Sequence, residues 1–138
     1  MSAFRRSPFT FVALPLLACL SLVASPAVAG PYDGSRPFLC AVATVMECDG
    51  SGQCERHIND ASSVPTFIRI DVGAQTVTAG PNRRTTLRAT RLDGQLILQG
   101  GENGRGWSAT IEEETGRMAA AIVDNDHIFS IFGGCTIP

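Results

Sequence analysis

Residues 66–99, TFIRIDVGAQTVTAGPNRRTTLRATRLDGQLILQ, alternate short apolar runs with turn residues at close, regular spacing. Side chains on an extended strand point to opposite faces in turn. Over 66–72 this puts Ile68, Ile70 and Val72 on one face and Phe67, Arg69 and Asp71 on the other. Gly73-Ala74-Gln75 and Gly80-Pro81-Asn82 punctuate the pattern before strands expected at 76–79 and 85–92. Asp93-Gly94 then tolerates the positive φ that a two-residue hairpin turn requires, and a strand at 95–99 follows.

The same period continues in both directions. Downstream, GGENGRG at 100–106 reads as a flexible glycine-rich loop, after which Trp107, Ala109 and Ile111 share one face of a strand at 107–113. Thr115-Gly116 and Asp124-Asn125-Asp126 separate further strands at 118–123 and 127–132. Upstream, 39–47 makes an eighth strand, and ERHINDASSV at 55–64 has room for one helical turn ended by Pro65. The expected fold is all-β, an antiparallel meander closing into a barrel of about eight strands, which leaves no edge exposed. A β-sandwich is the competing architecture.

The first 29 residues read as a signal peptide. Arg5 and Arg6 precede an apolar run, FTFVALPLLACLSLV at 9–23, and the small residues Ala27-Val28-Ala29 mark a cleavage site near Ala29. Pro15 and the shortness of the run argue against a membrane span. Lipid attachment at Cys19 and twin-arginine export through Arg5-Arg6 are the variants of this route. Residues 30–138 are expected to form one β domain, periplasmic or secreted, with no transmembrane segment.

Four cysteines follow the leader: Cys40, Cys48, Cys54 and Cys135. In an oxidising compartment an even count signals disulfides, and three pairings are possible. The expected pairs are Cys48 with Cys54, across Asp49-Gly50-Ser51-Gly52-Gln53, and Cys40 with Cys135, joining the first strand to the last. Past the leader, nine arginines face thirteen carboxylates and there is no lysine, a balance that disfavours nucleic acid and anionic membrane as partners.

Chemistry-bearing patterns are sparse. There is no Gly-x-Ser-x-Gly turn, and Ser108 after Trp107 is the nearest approach to one. His57 and His127 are the only histidines available as a base. Cys-x-x-Cys, Cys-x-x-Cys-His and a complete calcium loop are all missing from the sequence, so neither a metal nor a cofactor is expected. Glu112-Glu113-Glu114 abuts a turn, where charges are solvated. In the cluster Arg83, Arg84, Arg88 and Arg91, strand parity groups Arg84 with Arg88 as a positive stripe suited to a carboxylate or phosphate. Residues 102–107 bring Asn103, Arg105 and the only tryptophan, Trp107, together beside glycines, and Trp and Arg are enriched at the energetic centres of interfaces.

Leu39-Cys40-Ala41, 96–100 (LILQG), 104–108 (GRGWS) and 132–135 (FGGC) resemble segments of short exported bacterial proteins of unassigned function. That resemblance spans most of the chain past the leader and implies no activity. A looser likeness is to the periplasmic inhibitors of lysozyme, small disulfide-tied eight-stranded barrels. Their Ser-Gly-x-x-Tyr segment has no counterpart here, where the single tyrosine is Tyr32. The expected function is a non-enzymatic binding module of the cell envelope with Asn103, Arg105, Trp107, Arg84 and Arg88 as binding residues. An inhibitor of an envelope-directed enzyme such as lysozyme and a small hydrolase built on His57 or His127 are the alternatives.

Overall fold

The computed structural model describes residues 30–57 and 64–138. The leader, its cleavage site and Cys19 lie outside the described residues, as do residues 58–63. The strands are β1 (Phe38–Asp49), β2 (Cys54–His57), β3 (Phe67–Asp71), β4 (Thr76–Ala79), β5 (Arg84–Thr86), β6 (Arg88–Leu92), β7 (Gln95–Glu102), β8 (Arg105–Glu112), β9 (Arg117–Val123) and β10 (His127–Thr136). All pairings are antiparallel, in the order β5-β4-β3-β1-β10-β9-β8-β7-β6, and β2 pairs with β1 off this path. A single sheet of ten strands is present, not the two packed sheets of a sandwich.

The ends of the path, β5 and β6, are consecutive pieces of one run, so the sheet curls round until it meets itself. A single strand was expected at 85–92; it breaks at Leu87, whose side chain is buried. The half before Leu87 pairs with β4 and the half after it with β7, so one stave passes from one neighbour to the next. With β5 and β6 sharing a stave the nine strands on the path form a nearly closed wall of eight, the number read from the sequence. No helix among the described residues is long and apolar enough to cross a membrane.

Period-two burial builds the core. Phe38, Cys40 and Val42 point inward from β1, and a bulge between Val42 and Thr44 resets the parity so that Val45 and Glu47 also face in. Leu96 and Leu98 from β7, Ile111 from β8, Met118 from β9 and Phe129 and Ile131 from β10 complete the interior. Bridges join Cys40 to Cys135, directly opposed on β1 and β10, and Cys48 to Cys54, opposed on β1 and β2.

Three local expectations are corrected. Residues 100–106 are not a loop: β7 and β8 run through the glycines in register, Gly100 opposite Trp107 and Glu102 opposite Arg105. Only Asn103 (φ 50°) and Gly104 (φ 78°) turn the chain, a mirror-image hairpin turn like that at Asp93 (φ 50°) and Gly94 (φ 76°). The helical turn placed at 55–64 is replaced over its first residues by β2, held flat by pairing with β1 and by the short bridge. Finally, the middle glutamate of 112–114 is not solvated. Glu113 is buried at the base of the barrel, where Arg91 Nε lies 3.6 Å from its Oε1 and Arg91 Nη2 lies 3.3 Å from Asp33 Oδ2. Tyr32, edge-on to Phe38, packs against the core at the same end.

Candidate functional site

Among the described residues, a cavity lies toward the end of the barrel opposite Glu113, with Val64 and Pro65 in its lining. At mid-height the inward row across the strands is Leu98, Ala109, Ala120, Ile131 and Val45, each opposite the next in register. Two adjacent alanines in that row leave space that the leucines and isoleucines below do not. The space is a cavity of about 410 Å³, walled by Ile68, Leu98, Trp107, Ala120, Ile122 and Ile131. That volume falls within the roughly 300–1,000 Å³ typical of small-molecule sites, which are likewise apolar with a few convergent polar groups.

Trp107 does not plug the barrel. A Cβ on Gly100 would lie 2.4 Å from Trp107 Cζ2 and 2.6 Å from Cε2, so the indole is laid flat over the bare backbone of the opposite strand. The glycine keeps the ring against the wall, and the ring forms one side of the chamber.

Polar groups ring the mouth. Arg83, Glu102, Asn103 and Arg105 line its rim, with Thr85 and Ser108 below. Arg105 Nε lies 3.2 Å from Asp124 Oδ2, and its guanidinium sits 5.9 Å from the centroid of the Phe129 ring. Backbone N–H groups of Asp126 and His127, together with Arg105, hold the Asp124 carboxyl below the usual carboxylate range, so it stays ionised opposite Arg105. Arg83 Nε is 3.9 Å from Glu102 Oε1, which also accepts a hydrogen bond of 3.2 Å from Asn103 Nδ2.

Beside this rim the two histidines meet on one carboxylate. His57 Nε2 is 3.0 Å from Glu47 Oε2 and His127 Nε2 is 3.8 Å from Glu47 Oε1. The parity reset at the β1 bulge is what turns Glu47 toward them. Neither imidazole is hydrogen-bonded to a hydroxyl or thiol among the described residues. No group of three or more His, Cys, Asp or Glu side chains among the described residues could hold a metal ion. Asp49 is occupied within its own loop, accepting from Ser51 N at 2.9 Å, Ser51 Oγ at 2.7 Å and Gln53 N at 3.1 Å.

Of the residues singled out in the sequence, Asn103, Arg105 and Trp107 come together at the cavity. Arg84 and Arg88 do not. They share a face, but it is the outer one, opposite Thr78 and Gln99, and neither has a carboxylate within ion-pair distance among the described residues. Sequence reasoning named Arg83 only as a member of the arginine cluster and missed Thr85; both share the parity of Leu87, which the structure buries. It also missed Ala109 and Ala120, whose importance is visible only once β7 to β10 are placed in register. No family model, curated protein or solved structure matches the chain.

Proposed function

We propose that this protein is an exported, non-enzymatic binding module that carries a small, largely apolar ligand inside its barrel, not on its outer face. The observation that carries this reading is the cavity of about 410 Å³, apolar along its walls and polar only at its mouth. A disulfide-tied β-wall supports it, because a rigid frame holds such a chamber open without the cost of ordering it when ligand arrives.

The test is to fill the chamber. Ala120→Leu and Ala109→Leu each add three carbons to the cavity wall. N-phenyl-1-naphthylamine, a neutral fluorophore that brightens in apolar surroundings, is expected to brighten with the unaltered protein and to lose that response with either variant, while circular dichroism and thermal melting are retained. Equal brightening by the unaltered and filled proteins would place the dye elsewhere and remove the chamber from consideration.

The contact between His57 and Glu47 favours a second reading, a small hydrolase in which Glu47 orients His57 as a general base. Turnover of ester substrates that disappears in His57→Ala supports it. Turnover unchanged in a His57→Ala, His127→Ala protein refutes it.

A further inference from the structure

Each rim arginine faces a single carboxylate, and its closest approach to that carboxylate is through Nε. Arg105 and Arg83 make their closest approaches to Asp124 and Glu102 through Nε, at 3.2 Å and 3.9 Å. Among the described residues, no second carboxylate lies within ion-pair distance of either guanidinium. A guanidinium approached from its Nε side can still turn its Nη1–Nη2 edge toward a ligand, and that edge matches the two oxygens of a carboxylate. The side chains lining the cavity include these two cations and one carboxylate, Glu102, which Asn103 already engages. Below them, past Thr85 and Ser108, the lining is apolar.

Resting on the chamber reading above, we infer that the ligand is a single-chain amphiphile with one carboxylate head, seated between Arg83 and Arg105 with its chain down the wall formed by Trp107, Ile122 and Ile131. Size and charge narrow the class further. At about 30 Å³ per water-sized unit, 410 Å³ holds roughly a dozen non-hydrogen atoms, the length of a medium aliphatic chain. Glu47, Glu102 and Asp124 stand at the same end of the barrel, and their summed repulsion disfavours a second negative charge on the head. A cationic head would meet both guanidinium edges first.

The experiment titrates the protein calorimetrically with four probes of equal chain length: dodecanoate, dodecanol, dodecylamine and dodecyl phosphate. Dodecanoate is expected to bind at least about tenfold more tightly than dodecanol, as two charge-assisted contacts at a half-exposed rim allow. Arg83→Gln with Arg105→Gln should bring dodecanoate down to the affinity of dodecanol and leave dodecanol itself unchanged. Both side chains are half-exposed, so the double variant is expected to fold, and thermal melting checks this. Equal binding of dodecanoate and dodecanol, unaffected by the double variant, overturns the head-group inference and leaves the chamber reading intact. Tighter binding of dodecyl phosphate or dodecylamine overturns the choice of a carboxylate. Failure of all four to bind overturns the chamber reading together with this one.

Discussion

Breaking the two disulfides separately should have very different costs, because the loops they close differ so much in length. Cys40 and Cys135 are 95 residues apart in sequence, whereas Cys48 and Cys54 are separated by 6. If a bridge acts mainly by restricting the unfolded chain, the longer loop contributes about 4.7 kcal/mol and the shorter about 2.2 kcal/mol at 25 °C. Paired alanine substitutions, Cys40→Ala with Cys135→Ala and Cys48→Ala with Cys54→Ala, isolate each term and leave no free thiol behind. Cys40 and Cys135 are both buried, so the first variant also loses a little packing, which adds to its cost. A domain of this size has a total stability on the order of 5–15 kcal/mol, so losing the long bridge removes a large share of it. Urea unfolding followed by far-ultraviolet circular dichroism gives both numbers. The long-bridge variant should also show a steeper denaturant dependence, since its unfolded chain exposes more surface, and the short-bridge variant should not. Equal losses, or a larger loss for the short bridge, would refute the loop-length reasoning.

Gly100→Ala places a methyl group against both the Trp107 indole and the Thr86 carbonyl oxygen, so the ring must tilt and the β5 backbone must shift. The expected cost is about 1–3 kcal/mol, with a shifted tryptophan emission and weakened dye binding, and an unaltered emission spectrum counts against the packing described. Arg91→Ala strips the buried Glu113 carboxylate of its cation and should cost roughly 1–3 kcal/mol in thermal or urea melts, part of which Glu113→Gln restores. Acid should weaken the fold through three loop carboxylates. Asp33, Asp49 and Asp124 are held below 3.8 chiefly by the Ser35 hydroxyl, the Ser51 hydroxyl and the Asp126 backbone N–H respectively. Depressed folded values mean that the unfolded chain binds more protons in acid. Their contribution is therefore complete above about pH 5 and is lost as the pH falls through the lowered folded values. In urea melts between pH 5 and pH 2, Asp49→Asn should lose less stability than the unaltered protein.

Much of the fold was legible because period-two alternation is a property of single strands. Ile68 and Ile70 declare their face without reference to any neighbour, and so do Trp107, Ala109 and Ile111. Turn chemistry was equally local at Asp93-Gly94. The same two-residue signal stood at Asn103-Gly104 and was hidden by the glycines on either side, which suggested a loop where Gly100, Gly101 and Gly106 are paired strand residues. Their smallness serves the opposite strand, as Trp107 over Gly100 makes plain, and a side chain lying across a ladder leaves no mark on the sequence spacing of either partner. The break at Leu87 was invisible for a related reason. Nothing within 84–92 says that one half must pair to the left and the other to the right; curvature of the whole wall imposes it.

The site divides along the same line. Asn103, Arg105 and Trp107 stood out by residue type within one short segment. Parity was also available for the arginines, yet reading it without an anchor paired Arg84 with Arg88 and left open which face of the wall they occupy. Leu87 is that anchor. Of the two leucines between the turns at 80–82 and 93–94, Leu87 is buried and Leu92 exposed, so Arg83, Thr85 and Arg91 share the inward parity of Leu87 and Arg84 and Arg88 face out. Those inward positions then sort by height, Arg83 to the mouth with Glu102 and Arg91 to the base with Glu113. The chamber between them lies one level further from the sequence. An alanine on one strand is compatible with any packing. Ala109 opposite Ala120, flanked by Leu98 and Ile131, becomes a void only when four strands are laid in register. The chamber is thus a product of the nearly closed wall, formed by residues none of which is distinctive by itself.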